Sequence, residues 1–330
     1  MRDINFSRLS GIIDNFSKAR VMVVGDLILD EFIWGSVNRI SPEAPVPVVW
    51  VDRESFIPGG ASNVANNIAA LGAKVELVGI VGKDERGKIL KGELSKKGVS
   101  IGGVISDAKR PTTLKTRVIA HKQQVVRIDK EHINSVSSET LSKIISYIKK
   151  KIDQIDKLII EDYGKGLITP ELLKAIVPLA KRHKKTISVD PKEDHLSFYK
   201  GVTVITPNAE EASKAAGIKI ENKRSIDEIG KKLLKKLRCK MVLITLGERG
   251  MALFRQDGKP TYIPTMAQEV FDVSGAGDTV VGTFSLALAS GAKATEAAHI
   301  ANYAAGIVVG KIGIAVIKRD ELLRKIKGEA

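Results

Sequence analysis

Asp272-Val273-Ser274-Gly275-Ala276-Gly277-Asp278-Thr279 runs directly into an apolar stretch that continues to Ala289. Gly275 and Gly277 permit backbone angles and close approaches that other residues resist. The apolar stretch reads as a helix over 276–289, so its first backbone N–H groups have no partner within it. With the positive end of the helix dipole they form a site for an anion, above all one whose charge grows during a reaction. Asp278 falls in the first turn. A carboxylate there is badly placed to bind phosphate but well placed to take a proton from a hydroxyl that attacks one. Taken singly, Asp278 reads more readily as an acid favoured by the helix dipole, and it is the whole octapeptide that reverses this.

Working outward, short β-rich runs alternate with helical patterns. Strands are predicted at 21–24, 75–81, 158–160, 187–189, 204–205 and 241–246. Helices are predicted at 63–71, 86–97, 171–181, 210–216, 225–237 and 295–309. That alternation specifies an α/β fold with a mostly parallel central sheet and helices on both faces. Two segments depart from it. About 30–57 and 108–130 read as antiparallel strands outside the main sheet, forming a small β-sheet lid over one end. The whole chain, 1–330, reads as one domain.

Bulk properties narrow the function. At 43% hydrophobic and 28% charged, a chain of 330 residues can bury a sizeable core. The single cysteine, Cys239, makes no internal disulfide, which points to a cytoplasmic protein. Met1 to Arg20 has no signal-peptide apolar run, and the most apolar stretch, 297–317, is interrupted by polar residues, so no membrane association is expected. The net charge of +15 would suit an anionic partner, yet aromatics are only 5%, too few for base stacking, and nucleic acid is not the expected ligand. Gly82 to Lys88 has P-loop spacing but is followed by Ile89 where a magnesium-binding hydroxyl is needed. No dinucleotide glycine motif follows a strand, and the five histidines lack metal-ligand spacing.

The octapeptide ending at Thr279 resembles the C-terminal signature of the ribokinase-like sugar kinases, with Val273 where that signature commonly has threonine. The resemblance implies that Asp278 is the catalytic base, that Gly275, Ala276 and Gly277 hold the transferring phosphoryl group, and that Asp272 helps bind a monovalent cation such as K+. Pro58-Gly59-Gly60-Ala61-Ser62-Asn63 resembles the family's sugar-binding segment and implicates Gly59, Gly60 and Asn63. Asp26, after the first strand, matches a carboxylate for sugar hydroxyls, although it reads equally as a turn residue. Asn208-Ala209-Glu210-Glu211 resembles the Asn-x-x-Glu motif, implying ATP at Asn208 and Mg2+ held through water by Glu211. The same two residues fit a helix capping box. Thr245-Leu246-Gly247-Glu248-Arg249-Gly250 resembles the nucleotide loop, implicating Thr245, Gly247 and Gly250. Asp190-Pro191-Lys192 is a strand-end turn or a magnesium aid.

Within the family, 26–30, 39–48, Lys115-x-Arg117, Gln123-Gln124 and 162–166 resemble the heptose 7-phosphate kinases of lipopolysaccharide-precursor synthesis. Many of those carry a fused nucleotidyltransferase, and this chain is expected to be the kinase alone. Thr113, Lys115 and Arg117 share one strand face, and the two cations are candidates for the sugar's remote phosphate, with Arg39 and Lys165 behind them. The same cations read equally as an exposed lid face. Apolar lid residues Phe32, Trp34, Val48 and Trp50 suggest a homodimer through the lid. The rival readings are a kinase of ribose, fructose or phosphofructose, and a non-catalytic sugar-binding protein.

Overall fold

The computed structural model describes residues 6–121, 123–267, 269–311 and 313–328. After α1 (Phe6–Asp14), β1 (Arg20–Gly25) opens the main sheet. β2 (Leu27–Ile40) and β3 (Pro47–Gly60) then leave it as a long hairpin. The chain returns through α2 (Ala61–Ala70), β4 (Lys74–Gly82), α3 (Glu85–Lys96) and β5 (Ser100–Asp107). A second excursion makes β6 (Thr113–Ala120) and β7 (Gln123–Lys130). α4 (Ser138–Lys151), β8 (Lys157–Glu161), α5 (Pro170–Arg182), β9 (Thr186–Asp190) and β10 (Val204–Ile205) follow. The remainder is α6 (Ala209–Ala216), α7 (Lys223–Leu237), β11 (Met241–Thr245), β12 (Met251–Arg255), β13 (Thr261–Ile263), α8 (Ala276–Ala289), α9 (Ala294–Val308) and α10 (Arg319–Lys327).

Nine strands lie in the order β13-β12-β11-β10-β9-β8-β1-β4-β5. They are parallel except for β12 and β13, which finish one edge antiparallel. Alternation along β1 shows why both faces are covered. Val21 and Val23 join the core beneath α1, α2, α8 and α9, whereas Met22 and Val24 join the opposite core beneath α4 to α7. α8 is buried along nearly all its length between the sheet and α2, which accounts for its apolar character on every side.

The lid is the sheet β3-β2-β6-β7. Each hairpin is antiparallel as the sequence suggested, but the hairpins meet through a parallel β2–β6 pairing, because two separate excursions leave the main sheet in the same direction. The apolar lid face is also rearranged. Phe32 is buried under the Arg117 guanidinium and stacks on Trp34, leaving Trp50, Val51, Val126 and Ile128 as exposed apolar groups. Arg39 is exposed toward the far end of β2, away from the cleft.

One core position conflicts with hydrophobic burial. Lys157, the first residue of β8, is fully buried and its ammonium nitrogen has no hydrogen-bond partner among the described residues. Burial pushes its pKa down to about 7. The folded state therefore binds this proton less well than the unfolded chain, and stability gained at this residue grows as pH rises from about 7 toward 10.5. Lys157→Met should raise unfolding stability at pH 7 by about 1–3 kcal/mol, read as the urea midpoint, and should flatten that rise with pH.

Candidate active site

Gly25, Glu161 and Asp190 lie side by side where β1, β8 and β9 end, and the start of α8 brings Asp278 to the same place. Open α/β sheets bind ligands at such carboxyl ends. Gly275 caps α8 in the left-handed conformation, with φ of 77°. The Ala276 N–H is taken by the Val273 carbonyl at 3.2 Å, so the groups left to face an anion are those of Gly277 and Asp278. A side chain at Gly277 would meet nothing, which leaves the helix start open.

The Asp278 carboxylate is held at both oxygens. Asn63 Nδ2 donates to Oδ2 at 2.7 Å, and the Tyr163 hydroxyl donates to Oδ1 at 2.8 Å. Asn63 is itself fixed by Asn67, one helical turn on in α2. Burial pushes the Asp278 pKa up to about 6; the Asn63 and Tyr163 hydrogen bonds pull it back, and the Asp30 charge adds to the rise. A carboxylate tuned to that range is ionised at neutral pH yet basic enough to accept a proton in a transition state.

Glu161, Asp190 and Asp278 each place an oxygen within 4.8 Å of the others. Both Glu161 oxygens are buried with no donor to them among the described residues, and burial, followed by the Asp190 and Asp278 charges and a shared proton with Asp190, raises its pKa well above the ordinary range. Asp190 accepts from the Thr206 hydroxyl at 2.7 Å. Its pKa is pushed up to about 7, first by burial and next by Glu211. Three carboxylates this close cannot all be charged without a cation or shared protons. The orphaned Glu161 oxygens are what a hydrated divalent ion beside this cluster would satisfy. Glu211, at the start of α6, adds its charge to this cluster from one side. The capping box predicted for Asn208 and Glu211 is formed, with Asn208 Oδ1 accepting the Glu211 N–H at 2.9 Å and Glu211 Oε2 accepting the Asn208 N–H at 2.8 Å.

Beyond the start of α8 opens a cavity of about 630 Å³. Thr245, Gly247 and Gly250 line it with Ala276 and Gly277, and its far wall is apolar, including Val280, Ala305 and Val309. A bridge between Asn208 and Thr245 joins the two predicted nucleotide loops. At Gly250, φ is 82° and a side chain would strike the Ile263 carbonyl, so the loop needs glycine. Asp272 lies at the cavity rim, where its Oδ1 accepts the Ser274 N–H at 2.8 Å.

On the lid side the structure separates residues that the sequence grouped. Arg117 is committed to an ion pair with Asp30. Lys115, on the same strand face, forms no ion pair or hydrogen bond among the described residues, and its pKa is lowered by burial and by Lys165. Gly59 is pressed against the Asp30 carboxylate so closely that any side chain would collide with it. Asp26 differs from expectation. Its buried carboxylate accepts the backbone N–H groups of Tyr163 (3.0 Å), Lys165 (2.9 Å) and Leu167 (3.3 Å), so it is spent on holding a loop. Asp30, four residues further on and passed over by the sequence reading, is a buried carboxylate that lies against Gly59 and adds its charge to Asp278. Asp26 falls in the turn before β2, whereas Asp30 lies within β2 and pairs with the lid cation Arg117. Glu161 and Tyr163 were likewise missed as site residues, although both lie at or just past a strand end.

The pfkB family carbohydrate kinase pattern matches residues 18–319. The chain belongs to the pfkB family of carbohydrate kinases. It is 46% identical over 314 residues to "Bifunctional protein HldE" of Desulfatibacillum aliphaticivorans, covering 95% of this chain and 64% of that protein. The protein of the same name from Geobacter metallireducens is 45% identical over 311 residues, again with 64% of its length covered. This pfkB chain thus spans a little under two thirds of these relatives. Arabidopsis thaliana ribokinase complexed with ribose and ATP superposes with a TM-score of 0.74 at 22% identity, covering 94% of this chain and 99% of that one. Phosphofructokinase-2 from Escherichia coli, in complex with substrates and products, gives 0.77 at 18%, covering 94% and 99%. At those identities the likeness is one of fold, and both share the ribokinase-like architecture. Among the described residues no helix is long and apolar enough to cross a membrane.

As a pfkB kinase, the chain should lose phosphoryl transfer by about 10²–10⁴-fold in Asp278→Asn while retaining ATP binding, measured by turnover and by calorimetry. Because the ionised carboxylate is the active form, kcat should climb as pH rises through about 6 and level off above it. A rate independent of pH between 5 and 8 would remove Asp278 from the role of base.

Proposed function

We propose that the chain transfers the γ-phosphoryl group of ATP to the anomeric hydroxyl of D-glycero-β-D-manno-heptose 7-phosphate, forming the 1,7-bisphosphate for ADP-heptose and lipopolysaccharide precursors. The observation that carries the substrate assignment is Lys115. It is a half-buried ammonium with no bonded partner among the described residues, set between Asp30 and Asp129 on the neighbouring strands and near Lys165 and Arg127, which are already paired with Glu131 and Asp129. Of these cations it is the one left to meet a substrate anion, and a sugar phosphate supplies one far from the reacting hydroxyl. Arg117, paired with Asp30, would orient that carboxylate toward sugar hydroxyls rather than hold phosphate. The names of the HldE relatives agree with this reading.

ATP fits the cavity between the Thr245–Gly250 loop and α8, with the base against its apolar wall and the phosphates toward Asn208 and Gly277. The sugar lies between Gly59, Gly60, Asp30 and Asn63. Asp278 takes the proton of the attacking hydroxyl, and the N–H groups at the start of α8 stabilise charge on the transferring group. Mg2+ bound with the nucleotide neutralises phosphate charge, with Glu211 through water and the cluster of Glu161 and Asp190 as the carboxylates near it. Asp272, with one oxygen engaged by Ser274, is the acid at hand for a monovalent cation such as K+. The protein works in the cytoplasm, and two lids packing through Trp50, Val51 and Ile128 make a homodimer; a monomer by light scattering at micromolar concentration would reject that pairing.

The deciding assay is phosphate transfer from ATP to heptose 7-phosphate, with ribose and fructose phosphates as controls. Equal or better turnover of a control would overturn the assignment. Lys115→Met should raise KM for heptose 7-phosphate at least about tenfold with little change in KM for ATP, and should leave weak turnover of unphosphorylated heptose unaffected.

A further inference from the structure

The loop 162–167 is fixed far more heavily than a surface connection requires. Asp26 accepts three of its backbone N–H groups, at Tyr163, Lys165 and Leu167. Asp162 accepts a fourth from Gly164 at 2.8 Å. Asp162 is in turn held by the Tyr199 hydroxyl and by His195 Nδ1 at 2.7 Å. On the carbonyl side, Arg110 donates to Lys165 at 2.7 Å, and the Val136 N–H donates to Gly166 at 3.1 Å. Gly164 and Gly166 have φ of 68° and 89°, and a side chain at Gly166 would collide with the Asn134 carbonyl.

Two buried carboxylates and two left-handed glycines are an expensive way to shape six residues, and such over-determination marks functional positions. From this loop one side chain is bonded to the catalytic group. The Tyr163 hydroxyl reaches Asp278 Oδ1, opposite Asn63 on Oδ2. With one donor on each oxygen, the carboxylate plane is fixed and each oxygen keeps a lone pair for an incoming proton.

We propose that Tyr163 is a positioning residue for the base and that Asp26 acts on catalysis through it, by locking the loop that presents the phenol. This rests on Asp278 being the base of the kinase reaction. It gives Asp26, whose carboxylate holds this loop, a role at one remove from the chemistry.

The experiment compares wild type, Tyr163→Phe, Asp26→Asn and the double variant in phosphoryl transfer from ATP to heptose 7-phosphate, with melting temperatures alongside. Phenylalanine keeps the ring and removes only the donor. Tyr163→Phe should lower kcat about tenfold, with KM for both substrates within about twofold and an unchanged melting temperature. Asp26→Asn should also lower kcat, and the double variant should fall little below the worse single one, because both changes remove one constraint. Wild-type kcat in Tyr163→Phe would overturn the proposal. So would a loss spread over kcat, KM and melting temperature together, since that marks a packing residue. Multiplicative losses in the double variant would break the link to Asp26. A wild-type chain that phosphorylates no sugar would refute the kinase reading itself, whereas an active wild type with an indifferent Tyr163→Phe refutes the tyrosine alone.

Discussion

Negative charge gathered in a dry place is the constraint around which this molecule is arranged. Glu161, Asp190 and Asp278 meet where the parallel strands end, with Asp26 and Asp162 behind them. Left alone, such a group would refuse to ionise or refuse to fold. Each member is instead matched to a different remedy. Asp26 and Asp162 are satisfied by backbone N–H groups and become structural. Asp278 receives two side-chain donors and stays ionisable near neutrality. Glu161 has no donor, and Asp190 has a threonine hydroxyl, so that pair still needs a proton or a cation. The gradation runs from fully answered carboxylates at the back of the site to unanswered ones at the front, where phosphates and their metal would enter.

The helix start resolves the conflict this creates. A phosphoryl group moving toward a cluster of acids would be repelled, yet the first N–H groups of α8 point at the same spot and offer positive potential without a mobile side chain. Glycine at 275 turns the chain into that helix, and the absence of a side chain at 277 keeps the approach clear. Because α8 is buried between sheet and α2, the dipole's direction is set by the core rather than by local loop preference.

What the sequence disclosed follows from the range of the forces involved. The glycine-rich turn before α8, the capping pair Asn208 and Glu211, and the Thr245–Gly250 loop are short contiguous patterns whose chemistry is local, and each lies where the pattern put it. The lid hairpins were visible through alternation, but the parallel pairing of β2 with β6 joins residues about 85 apart and leaves no periodic mark. Asp26 and Asp30 show the same limit. Asp26 lies in the turn after β1 and Asp30 four residues on in β2, and no neighbouring residue tells which of them meets the lid. The distinction arises from what lies opposite: backbone of a loop 137 residues away for Asp26, and Arg117 for Asp30. Tyr163 was quoted in a motif without a role, because its partner Asp278 lies 115 residues on.

The division between a rigid floor and a charged lid explains how one fold can keep its chemistry and change its sugar. Everything that handles the phosphoryl group is anchored in the main sheet or in helices packed on it. The residues that would read the remote part of the acceptor, Lys115 and Arg117, sit on β6 of the lid, and they are treated unequally. Arg117 is neutralised by Asp30, whose carboxylate is thereby fixed beside Gly59. Lys115 forms no ion pair or hydrogen bond among the described residues, although Asp30 and Asp129 lie opposite it on the neighbouring strands. The two donors to Asp278 come from outside the lid, one from α2 and one from the loop after β8.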